Sequence, residues 1–372
     1  MANEGGDELY MMELNLHPNE ASGLLAIEDA PLLEAHGWEF GFWVVLDEGE
    51  IEDCIGVIGH PTGALIQDGW QIDHFRCEPS FAGDSGRTED AEALARHDGW
   101  VYAFGSHFGS KDGPLQPKRG FVARFREADV HHAFQDPAVE MEVSRRSFAL
   151  HRIINDALKD GGPDLIPLGK RSRKALIEAT IERGEKEGKK WSGLVREDDY
   201  PINIEGAAFR GDGSLLLGLR FPISAEGHPV LVEMEGIDRL FDSDGGLPGV
   251  RGFWVVDAVG HGGDIAGVRD LSVFEGADGE ELHLVTGNVD SRDKGSVLLP
   301  DYPGGQDTVA THFRCTLPPD EHSGSLKGEF VREFPNLPRV EGIAITDDER
   351  FFYVTDEDEG VHLRLTRLLA EE

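Results

Sequence analysis

Acidic residues set just before short apolar runs are where this sequence first suggests chemistry. They recur five times, at Glu20, Glu92, Glu205, Asp270 and Glu341. Each opens an apolar run such as E205-G-A-A-F or E341-G-I-A-I, then come a turn and a second apolar run. The second runs end in polar groups: Asp47, Ser106 with His107, Arg220, Asn288 and Asp356. Several carboxylates gathered near one axis cannot all stay ionised without compensation. A hard cation, the Arg220 guanidinium or backbone N–H donors can supply it. Oxygen-rich clusters bind Ca²⁺, with Mg²⁺ as the alternative. Glu20, Glu92, Glu205, Glu341, Asp47 and Asp356 are therefore the candidate metal ligands. His107 and Arg220 are the candidate catalytic residues, one to move a proton and one to hold an anionic group. The competing reading is structural: the acids accept backbone hydrogen bonds and lock the fold, and His107 and Arg220 merely pair with them.

For the acids to meet, the elements carrying them must repeat around a common axis. The copies start 72, 113, 65 and 71 residues apart, the mark of a repeat architecture. Further strand-like runs lie between them, at Cys54–Gly59, Trp70–Arg76, Gly120–Phe125, Glu140–Ser144, Pro229–Met234, Gly252–Ala258, Ser296–Leu299, then either Thr311–Thr316 or Glu329–Phe334, and Val361–Arg367. The tally is four strands in each of four repeats and three in the last, and Tyr10–Leu16 can complete that one. The expectation is an all-β fold, a β-propeller of five blades with six as the rival, closed by an N-terminal strand. Residues 1–372 then form a single domain. The 113-residue spacing carries an insertion over about 145–192, where Leu150, Ile153, Ile154 and Leu158 show helical spacing. Its stretch 170–190 is rich in lysine and arginine, either a solvated helix face or a docking element.

Composition narrows the partners. The net charge is −36, from 71 acidic against 35 basic residues. Such a chain repels a phosphate backbone and an anionic membrane surface, so neither nucleic acid nor membrane is expected. Three cysteines with no CxxC pair argue against a disulfide framework. With no apolar N-terminal segment and no stretch of 18 apolar residues, a cytoplasmic location is expected. Asp242-S-D-G-G starts like a calcium loop, but Phe253 occupies the twelfth position, where an EF-hand needs glutamate. HExxH, GxSxG, a Walker loop and a dinucleotide fingerprint are absent.

At E205-G-A-A-F with G218-L-R-F-P, at G105-S-H and at E341-G-I-A-I with Y353-V-T-D, the chain resembles a family of uncharacterised bacterial propellers. That family, a domain of unknown function, is loosely similar to phytase-like and esterase-like propellers. The resemblance implies metal-dependent hydrolysis of phosphoesters or lactones. Two functions follow as expectations. One is a divalent-cation-dependent hydrolase of a small anionic ester at the channel mouth. The other is a non-catalytic propeller that binds a protein partner or serves as a subunit of a larger complex.

Overall fold

Short alternating runs punctuated by glycine and aspartate fold as antiparallel strands joined by turns. The computed structural model describes residues 10–14, 16, 20–130, 138–243, 245–276, 279–290, 295–337, 339–346, 350–357 and 360–367. The chain opens with β1 (Tyr10–Leu14). β2 (Ala21–Ala26), α1 (Ala30–His36), β3 (Trp38–Leu46), β4 (Ile55–Pro61) and β5 (Gln71–Phe75) follow, and β2 to β5 form one meander. The helix α1 was not anticipated, although its signals are local. The Asp29 carboxylate caps it by accepting the Leu32 N–H at 2.8 Å, and Gly37, at φ 64°, ends it.

β6 (Cys77–Gly83) leaves the first sheet and pairs parallel with β10 at the rim of the second. That sheet is built from β7 (Ala91–His97), β8 (Trp100–Gly105), β9 (Val122–Arg126) and β10 (Val139–Arg145). The helical insertion comes next: α2 (Ala149–Gly161), then α3 (Lys170–Ser172), which continues through a π-helical turn (Arg173–Glu178) into α4 (Ala179–Lys186). The third sheet holds β11 (Asn203–Phe209), β12 (Leu215–Phe221), β13 (Val230–Glu235) and β14 (Gly249–Asp257). The fourth holds β15 (Gly267–Gly276), β16 (Gly279–Gly287) and β17 (Thr311–Thr316). The chain then detours through β18 (Gly324–Lys327), parallel to β14 of the third sheet, before β19 (Glu329–Glu333) completes the fourth. β20 (Val340–Ile345), β21 (Arg350–Glu357) and β22 (Gly360–Arg367) form the last sheet, and β1 pairs antiparallel with β22, Tyr10 opposite Leu365.

The fold is thus mostly β, five sheets of four or five strands, with a propeller-like order. The first strands of the sheets lie side by side: β2 against β7, β7 against β11, β11 against β15, β15 against β20, and β20 against β2. Approach is close enough to demand glycine. A Cβ on Gly206 would sit 3.0–3.1 Å from the Asp270–Leu271 backbone, and one on Gly342 3.0 Å from the Leu24 nitrogen. Apolar clusters fill the space between the sheets, one containing Phe42, Trp43, Phe125 and Phe352, a second containing Leu217, and a third containing Trp254 and Leu284. Among the described residues, no helix is long and apolar enough to cross a membrane.

Two expectations need correcting. Ser296–Leu299 is not a strand. The Ser296 hydroxyl accepts the Leu298 and Leu299 N–H groups, folding the segment into a turn, and its apolar side chains pack against the insertion. The rim strands β6 and β18 were not anticipated, because β6 is mostly polar and β18 is only four residues long. The paired histidines His131 and His132 lie outside the described residues.

Candidate functional site

Every first strand carries a one-residue bulge at the same level. Ala21 pairs with Leu46 and Gly23 with Val45, leaving Ser22 extra. Glu92, Glu205, Arg269 and Glu341 are left over in the same way in β7, β11, β15 and β20. A bulge bends the strand and re-aims its extra side chain, and all five of these line one cup. Two residues earlier on the strands come Glu20, Asp90, Asn203 and Arg339, which line it as well. The cup encloses about 650 Å³, and its lining carries nine carboxylates against five lysine and arginine side chains.

This register revises the repeat read from the sequence. The equivalents of Glu92, Glu205 and Glu341 are Ser22 and Arg269, not Glu20 and Asp270. Glu20 still lines the cup, one tier higher. Asp270 does not. It is buried one residue past the bulge, where β11 and β20 have glycine. Its carboxylate accepts the N–H groups of Leu271 and Ile343, each at 2.8 Å, and that of Leu24. It therefore staples β15, β20 and β2 together.

The cup has a neutralised half and an open half. Glu205 accepts from Arg220 at 3.0 Å and from the Asn203 amide at 3.1 Å. The remaining Arg220 nitrogens donate to the Asn288 carbonyl and side chain, each at 3.2 Å. Burial pulls the Arg220 pKa down, but Glu205, Asp290 and Glu92 more than offset it, so it rises. Arg269 pairs with Glu341 and approaches Glu205 at 3.7 Å. In the open half, Asp47, Asp90 and Glu92 present oxygens all within 4.8 Å of one another. Asp90 accepts from the Ser106 hydroxyl and pairs with Arg119 at 2.9 Å, yet burial still holds its pKa above the usual range. The Glu92 carboxylate makes no hydrogen bond or ion pair among the described residues. Burial, then Glu205, Asp90 and Asp47, push its pKa well up.

His107 does not line the cup. It stands in left-handed backbone geometry, φ 58°, and its ring is buried toward the insertion. Burial and the nearby His151 hold its pKa down to about 4. Asp356 lies in β21 with its side chain outside the described residues. So the structure gathers Glu20, Asp47, Glu92, Glu205, Glu341 and Arg220 in one cup and leaves His107 behind its wall. Asp90 and Arg269 were missed, though both had a signal. Asp90 lies two residues before Glu92, just ahead of β7, and Arg269 immediately precedes the fourth acid.

A second acidic cluster, Asp212, Glu233 and His322, is fully engaged. Buried Glu233 accepts from Trp254 at 2.8 Å, Ser214 at 2.9 Å, Arg210 at 3.2 Å and His322 at 2.6 Å. Arg251 pairs with Asp212 at 2.7 Å. That network satisfies itself without an ion.

No family model matches the sequence, and no curated protein matches it. Solved structures similar to it include an exo-1,5-α-L-arabinanase from a bovine ruminal metagenomic library, at 9% identity, TM-score 0.38, covering 93% of this chain and 92% of that one. MPT-4, a mannose phosphorylase from Leishmania mexicana, is 11% identical at TM-score 0.38, over 95% and 85% of the two chains. The WD40 β-propeller domain of Doa1 is 10% identical at TM-score 0.35, over 98% of each. These are distant resemblances of architecture and say nothing of chemistry.

Proposed function

We propose that residues 1–372 form one five-bladed propeller, its ring closed by β1 on β22, whose acidic cup holds a divalent cation and hydrolyses a small anionic ester. The side-by-side order of the five first strands, returning from β20 to β2, supports the ring. One observation carries the functional reading. Among the described residues Glu92 makes no hydrogen bond or ion pair, although its equivalents Glu205 and Glu341 each have a guanidinium. Asp47, Asp90 and Glu92 then form the ligand set, with Glu20 and Ser22 nearby in the lining. All-oxygen donors suit Ca²⁺ or Mg²⁺.

A cation bound there supplies Lewis acidity and an acidified water. The protein's own residues do the rest. Glu92, whose pKa is raised by burial and by the neighbouring carboxylates, must be ionised to serve as a ligand. Arg220 and Arg269 fix Glu205 and Glu341, so the neutralised half presents a rigid wall. Arg119 orients Asp90. An anionic ester entering the cup must be held partly through the cation, because carboxylates outnumber the basic groups around it. A binding-only role is the second reading, favoured by one observation: among the described residues, no histidine lines the cup.

Cation binding is tested by calorimetry and melting curves with Ca²⁺ and Mg²⁺. At 100 times Kd, binding to the folded state adds about 2.7 kcal/mol of stability. A melting curve that neither millimolar Ca²⁺ nor a chelator moves would falsify the cation site. If Ca²⁺ binds but no phosphoester or lactone in a panel is cleaved, the binding-only reading takes over.

A further inference from the structure

Lys111 stands apart from the other basic groups of the cup. Of the five lysine and arginine side chains in the lining, Arg119 pairs with Asp90, Arg220 with Glu205 and Arg269 with Glu341. All four arginines are buried or half-buried, whereas Lys111 is exposed. An ammonium on a flexible four-carbon stem can follow an anion. A buried guanidinium already bonded to a carboxylate cannot.

The backbone beneath Lys111 is held from both sides. On the cup side, the Ser106 hydroxyl donates to Asp90 and accepts the Phe108 N–H at 3.1 Å. Arg119 joins the same Asp90 to the Gly109 carbonyl, which accepts at 3.0 Å. Lys111 is the second residue of a tight turn. The Gly113 N–H donates to the Ser110 carbonyl, and the Ser110 hydroxyl donates to the Gly113 carbonyl, each at 2.8 Å. The Lys111 carbonyl accepts the Val297 N–H at 3.0 Å. On the far side stands the helical insertion. Thr180 of α4 accepts the Leu115 N–H at 2.9 Å, and Arg183 donates to the Gln116 side chain at 3.3 Å. The π-helical turn lies directly against the loop. A Cβ on Gly113 would be 2.1 Å from the Ala175 carbonyl oxygen, and one on Gly109 2.9 Å from the Leu176 side chain. Such turns are rare and recur at functional sites. A lysine at a loop tip ordinarily moves with its loop. Here the loop is fixed, so a bound anion has only one side chain to immobilise.

We infer that Lys111 binds the anionic group of the ester and that the helical insertion is the brace that holds it at the cup. This rests on the reading of the cup as the site of a cation-dependent hydrolase, and it narrows the substrate. A phosphomonoester has oxygens for both a cation at Asp47, Asp90 and Glu92 and an ammonium in the same cup. A lactone is neutral and gains nothing from Lys111.

The test titrates phenylphosphonate, a dianion that cannot be hydrolysed, into the full-length protein saturated with Ca²⁺, by calorimetry. One equivalent should bind. Lys111→Met should weaken it about 10–100-fold, the size of one hydrogen bond to a charged group. Lys111→Arg, which keeps the charge, should restore most of the affinity. Thr180→Val removes the acceptor of the Leu115 N–H. It should weaken the phosphonate as well, yet add nothing to the loss in Lys111→Met. Melting curves with Ca²⁺ report on the cation site separately. If they do not respond, the cation reading falls, and the same titration in chelated protein decides the role of Lys111. Equal affinity in wild type and Lys111→Met, no phosphonate binding by the wild type, or a loss that Lys111→Arg does not recover would overturn the assignment. Additive losses in the double variant would overturn the brace.

Discussion

Glu92 and Asp270 were read from the sequence as the same feature, yet they do opposite work. Asp270 gathers three backbone N–H groups in the interior, where an unmet donor costs about 1–3 kcal/mol. Asp270→Ala should therefore destabilise the protein by roughly 3 kcal/mol or more in denaturant titrations, and Ca²⁺ should not repair it. A loss below about 1 kcal/mol would mean that water replaces the carboxylate. Glu92 faces the cup with no hydrogen-bond or ion-pair partner among the described residues. Its folded-state pKa lies above its unfolded one, so the metal-free fold loses stability as pH rises through that interval. Glu92→Gln removes this cost. The metal-free variant should melt higher than wild type at pH 7, each 1 kcal/mol moving Tm by about 1 °C in a chain of this length, and Ca²⁺ should no longer raise it. A Ca²⁺ response of wild-type size in the variant would remove Glu92 from the ligand set. The sequence identified these acids as a set because their residue types recur. It could not separate them, since a single bulge residue decides which side chain faces the axis, and bulges leave no trace in apolar periodicity.

At the scale of elements, the seam between the fourth and last sheets is held by a buried polar chain. The Tyr353 hydroxyl donates to His312 Nδ1 at 2.8 Å, and His312 Nε2 donates to His283 Nδ1 at 3.0 Å. His283 Nε2 then faces Glu281 at 3.4 Å. Each imidazole gives one hydrogen and takes one, so the chain is complete only while both rings are neutral. Burial holds His283 down to about 3, and burial with His283 holds His312 well below the usual histidine range. In the unfolded chain both titrate near 6.5. The unfolded state thus binds more protons below that value, and stability is complete above about pH 6.5 and falls progressively toward pH 3. His312→Phe should flatten this slope in denaturant titrations across pH. An unchanged slope would place the acid sensitivity elsewhere. Most elements were legible beforehand. The inner pairs of all five sheets, β10 and the helical insertion match the apolar spacing. The detours β6 and β18 were not legible, because a rim strand needs only backbone hydrogen bonds and bears little apolar signal.

For the molecule as a whole, the two rim detours lace the sheets in pairs, first to second through β6 and third to fourth through β18. The last sheet receives no such lace. It is joined through β1, the N-terminal strand, lying antiparallel on β22, with Tyr10 opposite Leu365 and Leu14 opposite Val361. The chain therefore leaves β1 backward and β22 forward from the same end of the pair. A load applied between the two termini acts across the strands and parts their hydrogen bonds one after another, as a zipper opens, where a shear geometry would load them together. Stretched in optical tweezers from its ends, the protein should yield first at β1 at low force, well before the laced pairs. The same protein pulled from cysteines placed in β4 and β13 should resist much higher force. Heat and denaturant attack the whole interior together, so a fold that is sturdy in a melting curve can be mechanically weak along this one direction.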